Sequence, residues 1–398
     1  MTDLRMDLNN EPMILNMGPS HPATHGTVRF LLKLDGEKIL NCDTEIGYLH
    51  RAFEKHCESG TWTQAIPYTD RLNYNSAAQN NVAYAMAVEK LLGVEDRIPE
   101  RTKYIRTIMC ELARMADHYT NLGAATLELG ALTAFLYFVE ARELTWDLIE
   151  SVCGARLTSN YIRVGGLSGD LPEGFHEHAR KVFLTNREHW RQFDKLLTKN
   201  RIFLDRMRDV GGISQEDAIS WGFTGPCLRA TGVEYDVRKA SPYLIYDQLD
   251  FDVPVGTTGD NFDRYLMRME EINQSMSIVE QALGKLPKGP ININDSAVRN
   301  PSKEDVKTNI QSMIHLFKNT IEGINVPAGE VYVPTEGSNG EMGFHLVSMG
   351  GGKPWKCRVR PPCFALAQAM GDMVKGAFLA DIIPTFDMIN LIGGECDR

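Results

Sequence analysis

The sequence has no pair of cysteines in the spacing C-x-x-C, although it contains eight cysteines among 398 residues. Zinc ribbons, ferredoxin-type clusters and thioredoxin-like redox pairs depend on such pairs, so these kinds of site are excluded. Disulfides belong mainly to oxidising compartments, and a chain of this length can bury a large core without them. We therefore expect free thiols and no metal bound by this chain.

The sequence also lacks a long apolar run and an excess of positive charge. Its longest stretches without Asp, Glu, Lys or Arg are Pro12 to Val28 and Leu72 to Val88, 17 residues each, whereas a membrane-spanning helix needs about 20 apolar residues. The 42 basic and 52 acidic residues give a net charge of −10, the wrong sign for a chain whose main partner is nucleic acid. Residues 1–5 begin no secretory signal, which predicts a cytoplasmic location.

Hydrophobic periodicity predicts an α+β fold. Apolar residues alternate from His25 to about Cys42 on both sides of Asp35-Gly36, which predicts a hairpin. From Ser76 the apolar period becomes 3.6 residues, and Pro99 marks a helix start. The predicted regions are a β-rich part (1–75), a long-helix bundle (76–325) with an irregular insertion near 222–259, and an extended or β part with a helical segment (326–398).

The loop from Gly18 to Gly26 carries His21 and His25. Pro22 lies between the two histidines, so they cannot form a zinc pair on a helix. Histidine exchanges protons near neutral pH, and one interpretation of the loop is therefore proton exchange with a ligand. The alternative, which we favour about two to one when the loop is taken alone, is a pair of histidines that are simply hydrogen-bonded.

Two further side chains are candidates for a ligand site. Tyr74 follows Arg71 by three residues at the entry to a predicted helix, and its hydroxyl is suited either to a carbonyl ligand or to a backbone group. Glu128 is the one carboxylate in an apolar stretch at the end of the longest predicted helix. It is either exposed at the helix end or paired with a buried cation such as a histidine, because an unpaired buried carboxylate is costly.

Five motifs stand out along the chain: N-M-G-P-S-H-P-A-T-H-G from Asn16, Y-L-H-R-A-F-E-K from Tyr48, P-Y-x-D-R-L-N-Y from Pro67, G-A-R-x-x-x-x-Y-I-R-V-G-G from Gly154 and G-E-C-D-R from Gly394. Together they resemble one family, the D-type subunit of bacterial NADH:quinone oxidoreductase, respiratory complex I. The family is itself similar to the large subunit of nickel-iron hydrogenases without the metal. Hydrogenases carry R-x-C-G-x-C where this chain reads Arg71-Leu72-Asn73-Tyr74-Asn75-Ser76, and Cys396 stands alone near the C-terminus.

The resemblance implies a quinone site in the cavity that the metal has vacated. His25 and Tyr74 would hold the two quinone carbonyls and supply protons, and Glu128 would pair with His25, although the family usually has an aspartate there. The predicted site also includes residues of the quinone pocket and of the surface beside a partner's iron-sulfur cluster. These are His21, Arg51 and Arg71.

One departure from the family concerns Thr158, which stands where many members have a histidine close to that cluster. Without the imidazole, we expect weaker redox-linked protonation near the cluster. The C-terminal stretch before G-E-C-D-R also differs from the commoner D-I-V-F-G-E-V-D-R ending.

The resemblance further implies partners, cofactors and a location. The chain would bind no cofactor itself and would receive electrons from a 4Fe-4S cluster in the neighbouring B-type subunit. Its partners would be the B, C and I-type hydrophilic subunits, the H-type membrane subunit and quinone, at the cytoplasmic side of the bacterial inner membrane. Two alternatives are a metal-bearing hydrogenase-type large subunit, disfavoured by the missing thiolate pairs, and a helical scaffold without a site.

Overall fold

The structure, a computed structural model, describes residues 12–398. The expectation that no secretory signal is present concerns residues 1–5 and lies outside this range. The described chain begins with an antiparallel sheet in the order β1-β2-β3. The strands are β1 (Met13–Met17), β2 (Arg29–Asp35) and β3 (Lys38–Glu45).

The predicted hairpin at Asp35-Gly36 is confirmed, since Asp35 of β2 pairs with Lys38 of β3. Gly36 has a φ of +61°, a left-handed conformation that glycine adopts without steric cost. The alternation of apolar residues places one face of β2 in the core, where Phe30 and Leu32 are buried.

The middle of the chain is helical, as predicted. The longest helix follows Pro99, whose fixed φ suits a helix start. The helices α1 to α5 are Phe53–Ser59, Ile66–Thr69, Ala77–Leu92, Glu100–Glu128 and Leu132–Cys153, followed by a two-stranded ribbon of β4 (Ile162–Arg163) and β5 (Gly166–Leu167). The helices α6 to α13 are Phe175–Leu197, Arg201–Met207, Gln215–Trp221, Gly225–Arg229, Val237–Ala240, Asn261–Gly284, Lys303–Thr308 and Ile310–Ile321.

Two helices begin with side-chain caps. The Asp260 side chain accepts a hydrogen bond from the backbone N–H of Asp263 at the start of α11, and Ser302 does the same for Asp305 in α12. The stretch near 222–259 contains the short helices α9 and α10 between turns, and its arginines Arg229 and Arg238 are buried.

The C-terminal part begins with a second antiparallel sheet and ends in short helices. Ser338 and Asn339 form the turn between the first two strands. The strands are β6 (Gly329–Gly337), β7 (Gly340–Ser348) and β8 (Lys356–Arg360), and the helices are α14 (Pro362–Gln368), α15 (Met370–Val374), α16 (Ile382–Ile389) and α17 (Gly393–Cys396).

The apolar core joins elements that are distant in sequence. One cluster of buried residues packs α4 against α5, α6 and α11, including Phe138 and Phe193, whose rings stack 3.5 Å apart. A second cluster packs the N-terminal sheet against the C-terminal helices, with the rings of Phe30 and Phe386 in edge contact at 5.5 Å. The C-terminal segment is thereby fixed beside the histidine loop.

Small antiparallel sheets around a helical bundle confirm the α+β class. All eight cysteines are free thiols, as expected. Among residues 12–398, none of the helices has both the length and the apolar composition needed to span a lipid bilayer.

Candidate functional site

The histidine loop has a defined conformation that exposes one imidazole. His21 precedes a 3-10 turn at Pro22–Thr24, and its Nδ1 accepts a hydrogen bond from the N–H of Ala23 at 3.2 Å. His25 ends the turn with a left-handed φ of 54°, and half of its side chain is exposed. Gly18 is required in the loop, because a Cβ there would lie 2.3 Å from the carbonyl oxygen of Val28. The loop therefore holds His21 by its own backbone and leaves His25 open to a ligand.

Glu128 is the last residue of α4 and lies beside this loop. Its Oε1 is 3.8 Å from Nε2 of His25, within ion-pair range. Burial raises the pKa of Glu128, while His25 and His21 oppose that rise electrostatically. The arrangement matches the second sequence-based alternative for Glu128, pairing with a histidine.

Asp387 is a third member of the site, and sequence reasoning missed it. Its carboxyl group, Nε2 of His25 and the Glu128 carboxylate contribute ligand-type atoms that all lie within 4.8 Å of one another. Asp387 is only 4% exposed, and no atom in the described part of the chain forms a hydrogen bond with its Oδ2. Burial and the neighbouring Glu128 charge raise the pKa of Asp387 well above its usual value. The available signal was a lone carboxylate in the apolar α16, the same signal that singled out Glu128.

Tyr74 lies in a small cleft that it shares with Trp146, Arg156 and Thr158. It is 40% exposed, and within residues 12–398 no hydrogen bond joins it to His25. Burial and the nearby Asp117 carboxylate raise the pKa of the Tyr74 hydroxyl, which favours its protonated form.

The C-terminal segment connects the two sides of the site through α4. Asp117 accepts hydrogen bonds from Nδ2 of Asn73 at 2.7 Å, next to Tyr74, and from Nδ2 of Asn390 at 3.2 Å. One turn further along α4, Nδ2 of Asn121 donates to the backbone carbonyl of Asp387 at 2.7 Å. The segment from Asp387 to Asn390 is therefore bonded to both halves of the predicted site.

Arg51 and Arg71 are brought together by the C-terminal tail. Nη2 of Arg51 donates to the carbonyl of Arg71 at 2.8 Å, and a Cβ at Gly394 would lie 2.8 Å from that same nitrogen. The carboxylate of Asp397 accepts from the N–H groups of Gly47 and Leu49, each at 2.9 Å. Two of the family motifs, Y-L-H-R-A-F-E-K and G-E-C-D-R, thus form one packed unit with exposed arginines.

A cluster of buried charges on α4 lies behind the site. His118 approaches Glu271 at 2.7 Å, and Glu271 accepts from Arg229 at 2.5 Å. Burial alone raises the pKa of Glu271, but Arg229 and His118 together hold it well below the usual range, so this carboxylate is ionised. Arg229 also bonds Glu336 at 2.9 Å; burial and the neighbouring Asp236 raise the pKa of Glu336 to about 7.

The ion-pair distance of 3.8 Å between His25 and Glu128 is longer than the separation of two ligand atoms in a preformed metal site. In tetrahedral zinc sites with bonds near 2 Å, ligand atoms lie about 3.3 Å apart, and four ligands are usual. A cavity of about 450 Å³ elsewhere is lined by Gln64, Arg163 and Arg299, among others, and includes none of the predicted site residues.

A half-exposed imidazole beside two carboxyl groups is chemically able to exchange protons with a ligand. Comparisons with known proteins identify the family of the chain. Residues 128–398 match the family described as "Respiratory-chain NADH dehydrogenase, 49 Kd subunit". The chain therefore belongs to this family, as the five motifs predicted.

Individual members of this family are similar to the chain over nearly its whole length. It is 54% identical over 399 residues to the first of the NADH-quinone oxidoreductase D subunits of Sorangium cellulosum, covering 100% of this chain and 98% of the relative. It is 52% identical over 397 residues to the NADH-quinone oxidoreductase D subunit of Myxococcus xanthus, covering 100% and 95%. A Bdellovibrio bacteriovorus relative, the NADH-quinone oxidoreductase C/D subunit, is 49% identical over 391 residues, covering 98% of this chain and 70% of that protein.

Proposed function

We propose that this chain is the quinone-binding subunit of a proton-pumping NADH:quinone oxidoreductase, where it protonates the reduced quinone. The observation that carries the proposal is the half-exposed His25 imidazole backed by Glu128 at 3.8 Å. An exposed imidazole with a carboxylate behind it is arranged to donate a proton to a ligand and to recover one.

His25 and Tyr74 have complementary roles in this proposal. His25 donates a hydrogen bond and a proton to one quinone oxygen, and the Tyr74 hydroxyl, whose pKa is raised by burial and by Asp117, donates to the other. Because Asp117 lies near the Tyr74 hydroxyl and accepts a hydrogen bond from Asn390, while Asp387 lies beside His25, the quinone head group would lie against the segment from Asp387 to Asn390. His21 would stay a loop-forming residue that adds positive potential near Glu128.

The electrons come from outside this chain. Quinone reduction consumes two electrons and two protons, and we assign the electrons to a terminal 4Fe-4S cluster in a B-type partner. The exposed guanidinium groups of Arg51 and Arg71 would face that cluster, and that of Arg51 is held against the C-terminal tail. Thr158, in the Tyr74 cleft, supplies no titrating group there.

The partners follow from the same proposal. The relative named as a C/D subunit supports a C-type neighbour, because that protein extends beyond the part that matches this chain. We propose B, C and I-type hydrophilic neighbours and an H-type membrane subunit, with the chain peripheral at the cytoplasmic side of the bacterial inner membrane. Ion pumping would take place in the membrane subunits.

The hydrogenase-type alternative is disfavoured at the same position. Tyr74, Asn73 and Asn75 occupy the segment where hydrogenases have thiolate ligands, and the hydroxyl and amide groups here are poor ligands for nickel. The scaffold alternative leaves the exposed His25 and the unpartnered Asp387 carboxyl oxygen without a purpose.

The proposal is tested in the assembled complex with His25→Ala. Quinone reduction by NADH should fall by at least tenfold, while NADH oxidation by an artificial acceptor that takes electrons upstream should persist. The matched control is His178→Ala, which removes an exposed histidine from α6. Full quinone reduction by the His25→Ala complex would show that the proposed function is wrong.

A further inference from the structure

No ion pair within 4 Å among the described residues includes Asp387, although a ring nitrogen of His25 lies within 4.8 Å of its carboxyl group. Its carboxyl group is buried beside the Glu128 carboxylate, and in the described part of the chain its Oδ2 has no hydrogen-bond donor. Two ionised carboxylates at such a distance would repel each other in a medium that screens charge weakly. A proton shared between them removes the repulsion and supplies the missing donor.

The charged groups of the elements packed against α16 are otherwise engaged. His25 and His21 face Glu128 from the loop, while Asp117 of α4 bonds Asn73 and Asn390. The remaining groups have partners away from Asp387: Arg268 of α11 donates to the Met388 carbonyl, Arg264 donates to Asn261, Asp372 of α15 accepts from Trp221, and Asp381 pairs with Arg206.

We propose that Asp387 and Glu128 form a carboxyl–carboxylate pair that holds one proton and returns it to His25 during each turnover. The inference rests on the proposed function, because it assigns the source of the proton that His25 gives to quinone. Asp387 is in this sense a positioning residue, since it acts on the ligand only through Glu128 and His25.

The proton balance is simple. When His25 gives its proton to the reduced quinone, one N–H bond breaks and one quinone O–H bond forms. The O–H bond of the Asp387–Glu128 pair then breaks as the His25 N–H bond forms again. Both carboxylates stay ionised until a proton from water restores the pair, and the electrons are those that NADH supplies through the partner's cluster.

Burial raises the pKa of both carboxyl groups, which agrees with this assignment because burial disfavours the ionised form of each. The half-exposed side chain of His25 lies within 4.8 Å of both carboxyl groups, so it is the natural route for that proton to a ligand. The Phe386 ring lies beside His25, with ring centroids 6.0 Å apart.

The test uses Asp387→Asn in the assembled complex, because the amide keeps the size of the side chain and cannot hold the proton. Recharging of His25 would then depend on water, so the alkaline decline of quinone reduction should begin about one pH unit lower. Asp387→Glu should restore the original profile. Asp205→Asn, which changes an exposed aspartate on α7, is the matched control and should follow the unmodified profile.

A second measurement separates proton storage from a merely structural role. The infrared difference spectrum between the oxidised and reduced complex should contain a protonated-carboxyl band that is lost in Asp387→Asn and in Glu128→Gln. An unchanged pH profile and an unchanged band in Asp387→Asn would overturn the inference. If quinone reduction is nevertheless lost in His25→Ala, the proposed function stands and only the carboxyl pair is wrong.

Discussion

Replacing Glu271 by Gln should destabilise this chain far more than replacing Glu336 by Gln, although both carboxylates bond Arg229. Both residues are buried, and their distances to Arg229 are 2.5 Å and 2.9 Å. Glu271 is ionised, because Arg229 and His118 outweigh the burial that raises its pKa. Burial and Asp236 instead raise the pKa of Glu336 to about 7, so it carries only part of a charge at neutral pH.

The magnitude follows from what each change leaves behind. Removing one partner of a buried ion pair costs about 3 to 5 kcal/mol. The cost for Glu271→Gln should be near the lower end, about 3 kcal/mol, because Glu336 can ionise and take over part of the pairing with Arg229. For Glu336→Gln the cost should be about 1 kcal/mol or less, since the amide replaces a group that is already close to neutral.

The assay measures the melting temperature of this chain within the purified complex. After heating to each temperature, mass spectrometry measures how much of the chain stays soluble. With an unfolding entropy of about 2.1 cal/mol/K per residue, 3 kcal/mol corresponds to about 3 to 4 °C. The double variant should lose more than the sum of the single variants, because the compensating ionisation is then impossible. Equal shifts for the two single variants, or simple additivity, would refute this account of the cluster.

Four further predictions concern the site and its surroundings. Tyr74→Phe should weaken quinone binding by about 1 to 3 kcal/mol through one lost hydrogen bond, which would be measured as a higher KM for quinone. Tyr332→Phe changes an exposed tyrosine of the C-terminal sheet, so it is the control and should leave this KM unchanged. Burial raises the pKa of Glu395 from 4.5 to about 7, so between these pH values the folded chain holds a proton that the unfolded chain has lost. The melting temperature should therefore fall as the pH rises from 4.5 to 7. Glu395→Gln should flatten this fall, and an equally steep curve for the variant would contradict the assignment. Gly394→Ala should displace the C-terminal tail and reduce the yield of assembled complex, because the new Cβ would lie 2.6 Å from the Arg71 carbonyl oxygen. Gly169→Ala is the control and should leave the yield unchanged, because its Cβ would meet no atom within 4 Å. Elemental analysis of the purified chain should find no stoichiometric nickel, iron or zinc, and one equivalent of any of them would refute the assignment of a metal-free site.

The sequence by itself determined the features that depend on neighbouring residues. Asp35-Gly36 specifies a hairpin through the turn that glycine permits, and Asp260 specifies the start of α11 through a side-chain cap. The spacing of the cysteines excluded thiolate metal sites, and the five motifs were sufficient to predict the family. These are local signals, since each needs only a few consecutive residues to act.

The tertiary structure alone decided which distant residues meet. His25 and Glu128 were both named from the sequence, but the third carboxyl group at the site, Asp387, belongs to a helix near the other end of the chain. Nothing in the pattern around Asp387 indicates its neighbour, because the packing of α16 against α4 and the N-terminal sheet depends on side-chain fit over many elements. The hydrogen bonds of Asp117 with Asn390 and of Asn121 with Asp387 likewise join residues far apart in sequence, because long-range contacts are set by the whole core rather than by local sequence.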